Sequence, residues 1–213
     1  MEIPVVVQHR HVHLSEADVQ KLFGERMLHV SRPIDQRNQY VSTRVVSVHG
    51  PSGSFPEVAV LGPVRGETQV ELSSSDAYAI GIRAPLRISG DLDRSASVIL
   101  KAGEAEIEAK MSTIIPIRHL HLPPELAQQV GVAHHDIVKV QVKSHQHVWF
   151  DCEHEQAESK VEGFVLPSEA KQTGVHTFDH VVVRVHPTFT PAFHLTKDEA
   201  APHWIQTSDI VIL

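Results

Sequence analysis

Apolar and polar positions alternate in short runs along most of the chain, and glycine or proline separates the runs. The first run, Val5-Val6-Val7-Gln8-His9-Arg10-His11-Val12-His13, is rich in β-branched residues and predicts a strand. Ser15, with Asp18 three residues on, predicts the start of a short helix with Val19, Leu22 and Phe23 on its apolar face and Gly24 at its end. Residues 25–44 are polar with little period and predict a loop or small ribbon. From Val45 the pattern is of short strands at Val45–Val48, Glu57–Leu61, Gln69–Leu72, Leu86–Ser89 and Ser97–Leu100. A helix start at Ser75-Asp76-Ala77, ending near Gly81, interrupts them. Strands at this spacing predict a barrel or sandwich, not a parallel α/β sheet.

The second half restarts the first. Ile114-Ile115-Pro116-Ile117-Arg118-His119-Leu120-His121-Leu122 mirrors Val6-Val7-Gln8-His9-Arg10-His11-Val12-His13-Leu14, and both copies lead into a short helix. The second helix spans Pro123 to about Gly131. One internal echo of a supersecondary unit predicts two related barrels. Strands follow at Asp136–Val142, Val181–Val185 and Ile210–Ile212, with a capped helix from Thr196. Residues 144–180 read as polar and irregular, with a short helix from Ser168.

Composition narrows the function. The chain has 213 residues, 41% of them hydrophobic, which is enough for a buried core. It has no apolar run long enough to cross a membrane as a helix. The opening residues lack a basic segment and a small-residue cleavage site, so a secretory signal is not expected. A formal charge of -7 argues against non-specific nucleic-acid binding. The single cysteine, Cys152, has no partner for an internal disulfide and fits a reducing cytoplasm. Histidine stands out, at 17 residues.

Residues i and i+2 of a strand share a face, so His11 projects with His13 and His119 with His121. Each pair can offer imidazole nitrogens to a metal ion, and zinc suits imidazole with an occasional carboxylate. Two pairs at equivalent points of a repeat are a stronger signal than one. A third pair, His145 and His147, repeats nowhere and reads as surface. Asp151-Cys152-Glu153-His154-Glu155 resembles a ligand cluster but sits in irregular surroundings and is set aside. Arg65 follows the turn Gly62-Pro63, and its fork matches phosphate, but alone it reads as a solvated charge. Alone, Glu71 reads as an outward-facing strand carboxylate and His194 as a hydrogen-bonded core histidine.

Five segments occur in an order that resembles the PduL-type phosphate acyltransferases. They are Arg10–Ser15, Leu61–Arg65, Thr68–Glu71, Ser89–Leu92 and Ile114–His121, and Phe193–Ala200 is similar to that family's closing motif. The resemblance implies a mainly β protein of two small barrels with short capping helices and a metal site in the cleft between them. One barrel would comprise residues 1–9 with 117–213, the other residues 10–116 with the excursion near 25–44. It implies two zinc ions, held by His11, His13, Glu71, His119, His121 and His194, and it makes Arg65 the phosphate-binding arginine. The implied reaction interconverts a short-chain acyl-CoA plus phosphate with acyl phosphate plus CoA, by direct transfer and with CoA as substrate. A homodimer is implied. With the first strand so near residue 1 and no evident microcompartment-targeting extension, a cytoplasmic enzyme is expected. Ile117 departs from the family, which commonly has a basic residue there, and residues 144–180 are longer than the family leads one to expect. The alternatives are a metal-dependent hydrolase of a thioester or other acyl substrate, and a non-enzymatic zinc-binding protein.

Overall fold

The computed structural model describes residues 2–34, 36, 38–145 and 173–212. The chain is mainly β. Its strands are β1 (Glu2–Gln8), β2 (His11–Ser15), β3 (Val30–Pro33), β4 (Tyr40–His49), β5 (Ser54–Arg65), β6 (Gln69–Glu71), β7 (Leu86–Arg87), β8 (Ala96–Ala102), β9 (Ala105–Pro116), β10 (His119–Leu122), β11 (Ile137–His145), β12 (Thr173–Val185), β13 (Ala192–Thr196) and β14 (Ile210–Ile212). Among the described residues four short α-helices, α1 (Glu16–Phe23), α2 (Ser74–Ala79), α3 (Pro124–Val130) and α4 (Lys197–Ala200), follow β2, β6, β10 and β13.

Strands β1, β13, β10, β12, β11 and β14 close into one barrel. A second ring, β4-β5-β2-β6-β9-β8, closes because β8 pairs with both β9 and β4; β3 and β7 attach to it through β4 and β9. Each barrel has its own apolar core. Val12, Leu14, Val60, Leu72 and Leu100 fill the second, and Ile3, Val5, Leu120, Leu122, Phe193 and Leu195 fill the first. Each such side chain contributes about 1.5–3 kcal/mol on burial.

The internal echo becomes a structural repeat. β2 has β5 parallel on one side and β6 antiparallel on the other. β10 has β12 parallel and β13 antiparallel in the same arrangement. β9 runs parallel to β6 as β1 runs parallel to β13. The strand preceding each His-x-His segment therefore belongs to the opposite barrel. The chain crosses between barrels at residues 9–10 and again at 117–118.

Local chemistry explains the helix ends. The Ser15 hydroxyl accepts a bond from the Asp18 backbone N–H, and Gly24 ends α1 in the left-handed conformation (φ 72°). Thr196 and Glu199 form a reciprocal capping box on α4. Three local expectations change. The N-cap of α2 is Ser73, not Ser75, which leaves Ser75 free to bond Asp198. β7 stops at Arg87, so Ile88 and Ser89 leave the sheet. Residues 173–180 are not irregular: they pair with β11 as part of β12. Of them, Phe178 alone is a core residue, so no alternating pattern marked the strand. His147, the Asp151–Glu155 cluster and the helix expected from Ser168 lie outside the described residues.

Candidate metal centre and anion site

The two crossings set the site. Each His-x-His pair starts at the first strand residue after the chain enters a new barrel, so both pairs stand where the barrels meet. The antiparallel neighbour then adds a third group. Across the β2–β6 ladder His11 faces Glu71, and across the β10–β13 ladder His119 faces His194. Glu71 and His194 thus occupy the same position in the two repeats. His11, His13 and Glu71 offer ligand atoms within 4.8 Å of one another, and so do His119, His121 and His194. Arg65, at the end of β5, stands beside the first of these groups.

The ring orientations suit metal ligation. His11 Nδ1 lies 2.9 Å from the His9 carbonyl, and His119 Nδ1 lies 2.7 Å from the Ile117 carbonyl. A ring that donates its Nδ1–H to a carbonyl keeps the Nε2 lone pair free, the usual support of a metal-binding imidazole. Both nitrogens of His121 and one oxygen of Glu71 (Oε2) are buried without a hydrogen bond. Orphaned buried ligand atoms aimed into one space are what a bound cation would satisfy, so these groups fit a metal.

Protonation agrees. Burial holds His13, His119, His121 and His194 below the usual histidine range, His121 to about 2, and neighbouring cationic groups push most of them the same way. They stay neutral at pH 7, the form that binds metal. Burial opposes ionisation of Glu71, but His11, the Ser89 hydroxyl, Arg65 and His119 together keep its carboxyl below the ordinary value. Glu71 Oε1 accepts 2.6 Å and 2.8 Å bonds from Gln69 Nε2 and Ser89 Oγ.

Both groups line one cavity of about 640 Å³. Arg10, Arg32, Arg65 and Arg184 line it too, with Glu71 as the one carboxylate among the described lining residues. The protein as a whole is acidic, at -7, yet this cavity is cationic. Its chemistry suits anions. All seven expected residues meet here: His11, His13, Arg65, Glu71, His119, His121 and His194. The sequence reading missed Arg184, Ser89, Gln69 and Phe189. Arg184 carried a signal, since it interrupts the apolar run Val181–Val185 one residue before the end of its strand, much as Arg65 stands at the end of β5. Gln69 and Ser89 lie inside two of the family-like segments with no role attached to them there, and Phe189 carried no signal; the roles of all three arise from contacts across the fold.

A family model described as phosphate propanoyltransferase matches residues 4–162. The chain belongs to this family. It is therefore an acyltransferase. The phosphate propanoyltransferase of Shewanella putrefaciens is 40% identical over 176 residues, covering 81% of this chain and 83% of that protein. The one from Thermotoga maritima is 35% identical over 212 residues, covering 99% of this chain and 88% of its own. The one from Clostridioides difficile is 34% identical over 199 residues, covering 93% and 82%.

Proposed function

We propose that this phosphate acyltransferase interconverts a short-chain acyl-CoA plus phosphate with acyl phosphate plus CoA, using two zinc ions. His11, His13 and Glu71 hold one ion; His119, His121 and His194 hold the other. The single observation that carries this reading is the convergence of two three-ligand groups and Arg65 on one cationic cavity. The protein works as a cytoplasmic homodimer in this reading; among the described residues no helix is long and apolar enough to cross a membrane.

The bound metal supplies Lewis acidity, which favours negative charge on oxygen or thiolate sulfur. The protein's own residues do the rest. Arg65 binds and orients phosphate through its planar fork. A phosphate oxygen attacks the thioester carbonyl carbon, the C–S bond breaks, and the proton of hydrogen phosphate ends on the departing CoA thiol. The imidazoles, committed as ligands, do not shuttle that proton. The Ser89 hydroxyl donates to Glu71 and receives Gln69 at 2.8 Å, so it braces the carboxylate and is not poised as a nucleophile. Direct transfer follows, with no acyl-enzyme.

The test is release of CoA thiol from propanoyl-CoA and acetyl-CoA on metal-analysed protein, with and without phosphate. Phosphate-dependent release that disappears on chelation is the expected result. Release that needs no phosphate would make the protein a hydrolase, and no release from metal-loaded protein would leave a binding protein.

A further inference from the structure

Among the described residues, most of the half-buried arginines have a carboxylate: Arg10 pairs with Asp76, Arg44 with Glu25, Arg87 with Asp91 and Arg118 with Glu199. Among the described residues Arg184 has none within ion-pair distance, and its Nε is buried with no hydrogen-bond partner. A guanidinium taken partly out of water without a counter-ion is destabilising, so such a group inside a cavity calls for an anionic ligand.

Its position says which ligand. Arg184 sits on β12 directly opposite His121 on β10. Arg65 sits on β5, the strand that holds the same place beside β2 in the other repeat. Both guanidinium groups converge on one residue: Arg65 Nη1 lies 3.4 Å from Ser89 Oγ, and Arg184 Nη1 lies 3.4 Å from the Ser89 carbonyl. Phe189 steadies Arg184, whose guanidinium carbon lies 5.7 Å from the ring centroid, and the same ring stacks on His121 at 3.8 Å. Two cations held this close repel each other, and a dianion between them relieves the repulsion.

We propose that Arg184 is a second phosphate-binding residue, which with Arg65 forms a two-arginine clamp on the reacting phosphate. The inference rests on the acyltransferase reading above. Each ligand group has its own arginine on the adjacent parallel strand, so the clamp reaches the phosphate from both barrels. The nucleotide phosphates of CoA are a different matter. The pantetheine arm sets them well away from the thioester, while Arg184 lines the cavity opposite His121 and close enough to His119 and His194 to act on them electrostatically. Two forks on one small anion favour a doubly charged tetrahedral oxyanion, phosphate or arsenate, over water and over monoanions.

The test uses the metal-loaded full chain with Arg184→Gln and Arg184→Lys. Three readings are taken: the KM for phosphate at saturating acyl-CoA, the KM for acyl-CoA at saturating phosphate, and calorimetric phosphate binding without acyl-CoA. For Arg184→Gln, the phosphate KM and Kd should rise about 10- to 100-fold. The acyl-CoA KM and the metal content should hold within about twofold, and millimolar guanidinium should restore part of the loss. Arg184→Lys keeps the charge and loses the fork, so it should fall between the two and carry the test if Arg184→Gln folds poorly. An unchanged phosphate Kd in a metal-loaded variant overturns the proposal. A rise confined to the acyl-CoA KM also overturns it and assigns Arg184 to the thioester. If the unaltered protein shows no phosphate-dependent thiol release, the acyltransferase reading fails by itself, and the calorimetry still decides whether Arg184 binds phosphate.

Discussion

Glu71 and His194 hold one place in two copies of the same unit, each facing the first histidine of a His-x-His pair across an antiparallel ladder. One is a carboxylate and the other an imidazole, and their surroundings differ accordingly. Glu71 is buried beside Gln69 and Ser89, which both donate to it, and near Arg65. His194 is as deeply buried, but it stacks on His119 at 4.7 Å, and among the described residues the Gln36 amide is its one hydrogen-bond partner, at 3.3 Å. A neutral ring tolerates an apolar site; a carboxylate there needs donors and cations. Gln69 on β6, Arg65 at the end of β5 and Ser89, in the segment that leaves the sheet after β7, supply them around Glu71. The lesson is that the scaffold duplicates positions, while the side chains around each position, from strands and loop alike, decide which charge it can bear. Under the metal reading, the all-histidine group leaves its ion more positive than the group with Glu71.

The sharpest way to break this comparison is to remove one ligand from each repeat. Glu71→Gln and His194→Gln should each lower the bound metal from about two ions per chain to about one, with activity falling on the order of 10³-fold. Elemental analysis beside the thiol assay reads both. Two ions retained in either variant would remove that residue from the ligand set.

Acid should separate the groups next, in protein stripped of metal. The folded pKa of each buried imidazole lies below its unfolded value of 6.5, so the unfolded chain binds more protons on the acid side. Their contribution is whole above pH 6.5 and is lost as pH falls, for His121 down to about 2. Each such group gives a slope of up to about 1.4 kcal/mol per pH unit within its window. Three of these imidazoles stand in the all-histidine group against one beside Glu71, so His121→Phe should flatten the acid limb of a Tm-versus-pH curve. An unchanged limb would mean that His121 is protonated in the fold.

The smallest effects concern the two crossings. Arg10, just before His11, bonds Asp76 at 2.8 Å, and Arg118, just before His119, bonds Glu199 at 3.4 Å. These are again equivalent positions. Asp76 is buried, at 3% side-chain exposure, and also receives Lys197 from the other barrel at 2.6 Å; Glu199 is 27% exposed. Asp76→Asn should destabilise by about 1–3 kcal/mol, because two cations lose one buried partner. Glu199→Gln should change stability by about 0–1 kcal/mol and preserve the capping box. Urea unfolding at pH 7 compares them, and equal losses would show that burial does not set the difference.

Much of the site was legible before the fold was known. The His-x-His pairs sit on strands, and a strand's period of two places His11 with His13, and His119 with His121, whatever the barrel does. The helix caps at Ser15 and Thr196 were also readable, because capping is local chemistry. Glu71, His194 and Arg65 gained meaning only from the family resemblance. By itself their spacing fits an outward carboxylate, a core histidine and a solvated charge. Ser73, not Ser75, caps α2 because neighbouring serines offer equivalent hydroxyls, and Asp198, distant in sequence, binds Ser75.

By itself, then, the sequence determined what nearest neighbours control: a β-rich chain, an internal repeat, two paired-histidine strands and the helix starts. Only the tertiary structure decided what depends on ladder register and on the exchange of β1 and β9 between barrels. That includes the pairing of His11 with Glu71 and of His119 with His194, and the convergence of Arg65 and Arg184 on Ser89. The physical reason is distance along the chain. A contact between residues dozens of positions apart is set by the closure of the whole barrel, which buries two separate apolar cores at once, and no local pattern records it.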